Sequence, residues 1–546
     1  MNQGNPNSRV WLPLYFALTL AVGLAIGFRV QDPDALRIRR PAAAGSGPTD
    51  EILRYIRAKY VDETDTEALY ETGINAMLDE LDPHSNYIPA RDLRAINENM
   101  EGNFEGIGIE YLVVDDTITV VSAIPEGPSD RAGLRPGDQI LYVGDSLVTG
   151  VDEYGIDPPS LMRGAGGTDV TLGVRRGDEP DLRTFTITRD AIPVYAVDAA
   201  YNIDEETTYI RINTFSSRTY DEFVRALEQY MEKGGASRLI LDLRGNPGGY
   251  LQQATKLLSQ LFVQKGLLLV YTEGSRSRRV EYKTNGRAFY NIRDVAILVD
   301  GGSASASEIV AGAIQDHDRG IIVGRRTFGK GLVQEQYPLQ DGGALRLTIA
   351  RYYTPSGRSI QRAYGAEAGD YDDDLSRRFD RGELTGQATA EVDSSLLYYT
   401  DGGHPVFGGG GITPDHYVAL DSSQQDPTFL RLRQEIPAYV FRYARQHPEL
   451  ADYADLADFR ARFRPDFGAV LRNGLRPRAR ATYDEPLSPT LTPGQRAELA
   501  LLFRARLARH RFGPAAYFEV YNEADPVVQQ ALELLDAPNP VAAARR

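Results

Sequence analysis

The stretch VDGGSASASEIVAGAIQD, residues 299–316, carries the sharpest local signal in this sequence of 546 residues. The apolar residues at 295–299 predict a buried strand that runs into it, and its paired glycines predict a turn. Ser305 and Glu308 have the S-x-x-E spacing of a capping box, so a helix is expected to follow Ser305. The stretch therefore predicts a strand, a serine-rich turn and a helix.

Strands and helices alternate on both sides of this stretch. Helices are predicted at 220–231, 252–262 and 308–315, and strand-like runs such as LILDL and GIIVG accompany them. This alternation predicts an α/β fold with a largely parallel sheet, which we assign to 191–418. Within that range, 364–411 is acidic and rich in glycine, so we predict an insertion or surface loop there rather than core.

The segments that flank this core have other patterns. Short alternating strands broken by turn signals predict a small all-β module at 96–190. Helical spacing of apolar residues within 52–81 predicts two amphipathic helices in an N-terminal helical region at 49–95. A helical pattern also runs through 419–546, which we interpret as a separate C-terminal helical extension.

The composition is that of a folded protein with several modules, since 42% of the residues are apolar and 25% are charged. The net charge of -16 argues against a nucleic-acid partner, because phosphate binding needs clustered lysine and arginine. The sequence has no cysteine, which excludes a thiol nucleophile, structural disulfides and cysteine-ligated zinc. Any chemistry must come from oxygen or nitrogen groups.

An uncharged apolar run at 11–28 follows a short N-terminal tail at 1–10. Its length is just sufficient for one transmembrane helix. A cleaved signal peptide has a similar pattern, but no clear small-x-small site follows the run, so an uncleaved anchor is favoured. Basic residues on both sides leave its orientation open. Residues 29–48 are rich in alanine, glycine and proline and predict a linker to the soluble body.

Ser305 is either a helix cap or a nucleophile. A serine at a helix N-terminus lies beside free backbone N–H groups. If the serine is a nucleophile, those N–H groups can form the oxyanion hole beside it. A nucleophilic serine needs a base. None of the six histidines stands out as that base, and the best candidate among them is His317 in QDHD.

Lys330 is the alternative base, because TFGKG places this lone lysine between glycines shortly after the predicted strand GIIVG. Near neutral pH it must lose its proton, which needs a pKa lowered by about 3 through burial in an apolar pocket. The GNPGG turn at 245–249 is either a plain connection or a source of backbone N–H groups beside the reacting carbonyl.

Seven motifs follow one another between residues 48 and 418: GIGI, RAGLRPGD, DLRGNPGG, GGSASASE, TFGKGLVQ, YYTPSGRSIQ and GITPD. In content and order they resemble the C-terminal processing peptidases, also called tail-specific proteases. The resemblance implies a crotonase-like α/β protease core with an inserted small β-rich PDZ domain. It also implies a serine endopeptidase that needs no metal and no organic cofactor.

The resemblance assigns roles to individual residues. It implies that Ser305 is the nucleophile, that Lys330 is the general base, and that Gln334 helps to hold the lysine in place. The oxyanion donors that it implies are the N–H group of Ala306 and a glycine N–H group of the GNPGG turn, that of Gly248 or alternatively of Gly249.

For the β-module at 96–190, the resemblance implies a PDZ domain whose carboxylate-binding loop is GIGI. Backbone N–H groups of such a loop capture a terminal carboxylate while the peptide adds to the sheet edge as a strand. The expected partners are protein substrates with apolar C-terminal tails. The residues of the loop are Gly106, Ile107, Gly108 and Ile109.

Together these expectations describe a single-pass, membrane-anchored protease whose catalytic body lies in the periplasm or outside the cytoplasmic membrane. One rival is a catalytically silent, membrane-tethered PDZ scaffold, and the intact pair of Ser305 and Lys330 argues against it. A second rival is a Ser/His/Asp hydrolase built on His317. The extension at 419–546 and the acidic insertion at 364–411 have three candidate roles: adaptor, lid or homo-oligomerisation surface.

Overall fold

A computed structural model of the chain describes residues 47–545, apart from 152–153, 178, 365–370, 372, 391 and 484–485. The predicted tail at 1–10, the anchor at 11–28 and nearly all of the linker at 29–48 lie outside the described residues. Within the described ranges, no helix has both the length and the apolar character needed to cross a membrane. The chain divides between Met77 and Leu78 into two compact units.

Two helices lie where the sequence predicts two amphipathic helices, and the second of them ends two residues beyond the first unit. Helix α1 spans Pro48–Lys59, and α2 spans Thr66–Asp79. Asp65 caps α2, because its Oδ1 accepts the backbone N–H groups of Glu67 and Ala68, each at 3.0 Å.

In the second unit, a short segment leads into the β-module. Strand β1, Asn86–Ile88, pairs antiparallel with residues 344–346 of the α/β core, a pairing that the sequence did not predict. Helix α3, Ala90–Glu101, runs past residue 95, where the sequence analysis placed the boundary of the β-module. Strand β2, Asn103–Gly106, then pairs with residues 190–193.

The β-module contains an antiparallel sheet of five strands, with one short strand added beside them. Its elements are β3 (Ile109–Val114), β4 (Thr117–Ala123), α4 (Pro128–Ala132), β5 (Gln139–Val143), β6 (Ser146–Leu147), α5 (Pro158–Met162), β7 (Asp169–Arg175), β8 (Arg183–Thr188) and β9 (Asp190–Pro193). The strand order is β3-β4-β5-β7-β8, with β6 beside β5. Along β7, Val170, Leu172 and Val174 are buried and their neighbours are more exposed, which fits the two-residue period of a strand.

The α/β core is built on a six-stranded sheet. In spatial order its strands are β10 (Val197–Asn202), β11 (Thr207–Ile212), β12 (Arg238–Asp242), β15 (Asp294–Val299), β16 (Ile321–Gly324) and β21 (His416–Tyr417). Only the β10–β11 pair is antiparallel, and the other pairs are parallel. The prediction of a largely parallel sheet is confirmed.

A second sheet and three helices complete this core. The sheet has the order β1-β18-β13-β14, and β17 also pairs with β18. Its remaining strands are β13 (Leu268–Glu273), β14 (Val280–Lys283), β17 (Leu332–Pro338) and β18 (Ala344–Tyr353). The helices are α6 (Thr219–Leu227), α7 (Leu251–Leu261) and α8 (Ala306–Asp316).

The predicted insertion at 364–411 is only partly a surface loop. Its described part contains helix α9, Asp374–Asp380, and a hairpin of β19 (Leu397–Tyr399) and β20 (Pro405–Phe407). Arg378 and Leu384 within it are buried. The acidic and glycine-rich composition did not indicate these elements, because the buried contacts come from isolated residues rather than from a periodic run.

The C-terminal extension is helical, as predicted. Its helices are α10 (Pro427–Gln446), α11 (Leu456–Arg462), α12 (Phe467–Val470), α13 (Arg476–Thr482), α14 (Pro493–Phe512), α15 (Pro514–Tyr521), α16 (Pro526–Leu535) and α17 (Pro540–Ala544). Most of them form a cluster of their own around Phe429, Phe459 and Phe503. The β-module is tied to this cluster by Arg478, whose Nη1 donates to Asp115 at 3.0 Å.

The end of the extension belongs to the α/β core, which corrects its interpretation as a separate unit. One face of the six-stranded sheet packs against α6, α7 and α8, and the other face packs against α16 and α17. Ala296 and Leu298 of β15 contact the cluster that contains Val528 and Leu535. A parallel sheet needs both faces covered, and the extension supplies one of the two layers.

A buried ion network fixes α16 to the sheet. Asp242 lies at the end of β12 and is fully buried. Arg244 contacts the Asp242 carboxylate at 2.7 Å with Nη2 and the Asp525 carboxylate at 2.8 Å with Nη1. Asp525 also caps α16, because its Oδ1 accepts the N–H groups of Val527 and Val528.

Replacing Asp525 by alanine is expected to lower the free energy of unfolding by about 3 kcal/mol, since it leaves part of a buried ion network unpaired and removes a helix cap. Chemical denaturation measures this change. The matched control is Asp536→Ala, which removes the exposed partner of Arg238 at 2.6 Å and should cost less than about 1 kcal/mol. Equal effects of the two substitutions would contradict the role of the network.

Candidate active site

Ser305 lies at the turn between β15 and α8, as the sequence predicts. It is the N-cap of α8, is half-buried, and has a φ of 54°. A positive φ is costly for a serine, so the surroundings must hold the backbone in this conformation. The N–H of Ser305 donates to Glu308 Oε2 at 2.9 Å.

The Glu308 carboxylate joins the serine turn to the loop that carries Lys330. Its Oε2 accepts the N–H groups of both Ser305 and Lys330, at 2.9 and 2.8 Å. Its Oε1 accepts the Thr327 hydroxyl at 2.5 Å and the Gly329 N–H at 2.7 Å. The residue is fully buried, and burial raises its pKa to about 7 although four hydrogen bonds favour the charged form. The sequence indicated only its capping contact with Ser305.

Lys330 is a half-buried amine whose hydrogen-bond partner is an amide. Its Nζ donates to Gln334 Oε1 at 3.0 Å. Burial lowers its pKa, and so does the positive charge of Arg346, while the charges of Asp82 and Glu308 oppose the shift. Among the ion pairs of the described residues, none involves this lysine. The structure therefore brings the backbones of Ser305 and Lys330 to one buried carboxylate, and Gln334 contacts the amine of Lys330.

Tyr352 is a site residue that the sequence analysis did not identify. Its hydroxyl lies 3.1 Å from the carbonyl oxygen of Ser305 and also contacts the carbonyl oxygen of Lys330. The side chain is 1% exposed, and burial holds its pKa well above the usual value, so the hydroxyl keeps its proton as a donor. Tyr352 begins the motif YYTPSGRSIQ, which was the only available signal.

The GNPGG turn approaches the serine very closely. A Cβ added at Gly248 would lie 2.7 Å from Ser305 Cβ and 2.9 Å from the nitrogen of Ala306, and Gly248 has a φ of 99°. Only glycine fits this position. The Gly248 N–H donates to Asn246 Oδ1 at 2.8 Å. Among the hydrogen bonds of the described residues, the N–H groups of Ala306 and Gly249 have no acceptor.

His317 lies at the opposite end of α8 from Ser305. Ser305 is the N-cap and His317 the C-cap of this helix of 11 residues, so the two residues are separated by about 18 Å along its axis. Both ring nitrogens of His317 are engaged, Nδ1 with Asp401 Oδ2 and Nε2 with the carbonyl oxygen of Leu268, each at 2.7 Å. This geometry excludes the Ser/His pairing that the sequence left open.

The GIGI loop joins β2 to β3, the edge strand of the β-module sheet. Ile107 is buried, and its carbonyl oxygen accepts the N–H and the hydroxyl of Ser129 at 3.1 and 2.6 Å. Gly108 has a φ of 73°. In the described part of the chain, the N–H groups of Ile107 and Gly108 have no acceptor. Gly106 is the last residue of β2, and Ile109 is the first residue of β3. The loop therefore places two adjacent N–H donors beside a sheet edge.

Two family models match the chain. The model described as Peptidase family S41 matches residues 206–368, and a PDZ domain model matches residues 119–176. The first range contains the Ser305 turn and the Lys330 loop, and the second contains most of the β-module sheet.

Among curated proteins, the carboxy-terminal-processing protease of Bartonella bacilliformis is 39% identical over 315 residues, which cover 57% of this chain and 71% of that protein. The carboxy-terminal processing protease CtpA of Bacillus subtilis is 32% identical over 64% of this chain and 75% of its own length. Among solved structures, the photosystem II D1 C-terminal processing protease is 30% identical over 57% of this chain and 84% of that chain, with a TM-score of 0.33. This chain belongs to the carboxy-terminal processing proteases of peptidase family S41, which are serine-type peptidases, and it carries a PDZ domain.

Proposed function

We propose that this chain is an endopeptidase that cuts protein substrates with a Ser305/Lys330 dyad and selects them by their C-terminal tails. The observation that carries the proposal is the Glu308 carboxylate, whose Oε2 accepts backbone N–H groups from both proposed catalytic residues. It holds the two loops together independently of any substrate.

In the proposed reaction, neutral Lys330 takes the hydroxyl proton of Ser305 as the serine oxygen bonds to the scissile carbonyl carbon. The C–N bond then breaks, and the proton passes from Lys330 to the departing amine. Water hydrolyses the resulting ester, which restores the Ser305 hydroxyl and releases the new carboxylate. The lowered pKa of Lys330 supports its role as a base, since more of the amine is then neutral near pH 7.

Backbone N–H groups supply the proposed oxyanion hole. The Ala306 N–H follows the nucleophile at the start of α8 and has no acceptor among the described hydrogen bonds. Of the two glycines implied by the family, Gly249 has an unused N–H, whereas the Gly248 N–H is bonded to Asn246. We propose Ala306 and Gly249 as the donors and assign to Gly248 the close approach that brings the turn against Ser305.

The GIGI loop is the proposed site for the tail carboxylate. The unused N–H groups of Ile107 and Gly108 are suited to a carboxylate, and β3 offers an edge to which a peptide can add as a strand.

We further propose that the apolar run at 11–28 anchors the chain in the membrane with the catalytic body in the periplasm or outside the cytoplasmic membrane.

Ser305→Ala and Lys330→Ala are each expected to lower the cleavage of an unfolded protein with an apolar tail by about 1,000-fold or more, because each removes one half of the dyad. Cleavage is followed by gel electrophoresis, with the same protein ending in charged residues as a poorer substrate. Lys233→Ala, which removes an exposed lysine paired with Glu228, is the control and should keep full activity. Activity surviving in Lys330→Ala would place the base elsewhere, and an inactive native protein that still binds tails would favour the scaffold.

Gly248→Ala is expected to lower kcat about 100-fold or more, because its Cβ would displace the Ser305 side chain and the Ala306 nitrogen. Gly245→Ala changes the same turn at a position with a φ of 70° and open space around it, so kcat should fall by only a few-fold. Steady-state kinetics on a peptide substrate give both values. A similar loss in the two variants would mean that the effect comes from general disruption of the turn.

In a Ser305→Ala background, a peptide with an apolar residue and a free C-terminal carboxylate should bind about tenfold or more tightly than the same peptide with a C-terminal amide. The expectation follows because the charge-assisted hydrogen bonds to the GIGI loop are lost in the amide. Fluorescence anisotropy measures both affinities. Equal affinities would mean that the loop does not recognise the carboxylate.

A further inference from the structure

We propose that the buried turn at Asp82–Ser85 is a positioning element of the active site, which orients Gln334 against Lys330 through the His84 carbonyl and whose Asp82 carboxylate influences the charge of the lysine. The inference deepens the proposed function and rests on Lys330 being the base. The sequence analysis gave this segment no role.

The turn is held rigidly by the Asp82 carboxylate. Oδ1 accepts the N–H groups of His84 and Ser85, each at 2.9 Å, and Oδ2 accepts the Ser85 hydroxyl at 2.7 Å. Asp82 is 6% exposed. Burial alone would raise its pKa, but these hydrogen bonds hold the pKa below its usual value, so the carboxylate stays charged in the working pH range.

The second sheet fixes the turn from the other side. Thr348 of β18 donates its hydroxyl to Asp82 Oδ1 and its N–H to the Ser85 hydroxyl, both at 3.1 Å. The next residues of the chain, β1, pair with β18. The turn is therefore anchored to the same sheet that carries Gln334 on β17.

The His84 carbonyl determines which end of the Gln334 amide faces the lysine. Gln334 Nε2 donates to the carbonyl oxygen of His84, and Oε1 then accepts from Lys330 Nζ at 3.0 Å. Without this acceptor, the amide is free to turn its NH₂ group towards the amine, where two donors would oppose each other. The turn thus keeps an acceptor on Lys330 whether the lysine is charged or neutral.

Three charged groups around Lys330 affect its pKa. Asp82 of the turn and Glu308 of α8 favour the protonated amine, and Arg346 of β18 disfavours it. The ring of His84 is neutral near pH 7, because burial and the charge of Lys330 lower its pKa to about 4. Burial lowers the pKa of Lys330, and the Asp82 charge partly offsets that decrease. The amine therefore stays basic enough to accept the Ser305 proton during acylation.

The direct test is the pH dependence of Lys330 acetylation by trace acetic anhydride in the full-length protein, quantified by mass spectrometry. Asp82→Asn removes the charge with little change in shape, so the labelling midpoint should fall by about 0.5 pH unit or more. The acid limb of kcat/KM should move in the same direction. Ser85→Ala, which removes one hydrogen bond to Asp82 and no charge, should lower kcat without moving either midpoint.

An unchanged labelling midpoint in Asp82→Asn overturns the proposal. If that variant does not fold, Thr348→Val removes a hydrogen bond to Asp82 from the sheet side. It is expected to lower kcat about threefold or more, with the unfolding temperature nearly unchanged. An unaltered kcat in this variant overturns the proposal as well. The labelling midpoint reports the pKa of Lys330 without any substrate, so it tests the turn alone. Cleavage activity retained in Lys330→Ala would instead reject the proposed dyad.

Discussion

The carboxylate of Glu308 is removed from water, and each of its hydrogen bonds comes from one of the two loops that carry the proposed nucleophile and base. A buried carboxylate is stable only where donors compensate the lost hydration. The serine turn and the lysine loop therefore have to meet at this carboxylate. The positive φ of Ser305 is tolerated because this arrangement and the close approach of Gly248 determine the backbone from both sides.

Around this carboxylate, the protease core uses neighbours that are distant in the chain. Tyr352 on β18 reaches the carbonyl oxygens of both loops, and the turn at Asp82–Ser85 reaches Gln334 from the segment that precedes the β-module. Both contacts come from the second sheet or its edge. The lysine thus lies beside β17, β18 and the turn at Asp82–Ser85, which suits a proposed base whose pKa depends on burial and on charges at fixed positions.

The extension and the insertion have roles in the architecture that their composition did not suggest. Helices α16 and α17 cover the face of the main sheet opposite α8, and Arg244 joins them to Asp242 through Asp525. Arg509 of α14 donates to Glu110 on β3, the proposed peptide-binding edge strand. The same extension therefore contacts both the layer beneath the active site and the PDZ domain.

The local sequence determined the elements and the positions of the proposed reacting residues. The run at 295–299 forms a buried strand, the S-x-x-E spacing sets the start of α8, and the glycines of TFGKG and GNPGG mark the loops. These features depend on backbone preferences and on periodicity, which neighbouring residues set. The pairing of β1 with β18, the contacts of Tyr352 and Asp82, the exclusion of His317 and the use of α16 as a core layer were decided only by the tertiary structure. They depend on groups that meet across long stretches of chain, 47 residues between Tyr352 and the Ser305 carbonyl and 266 residues between Thr348 and Asp82. No local pattern encodes those contacts.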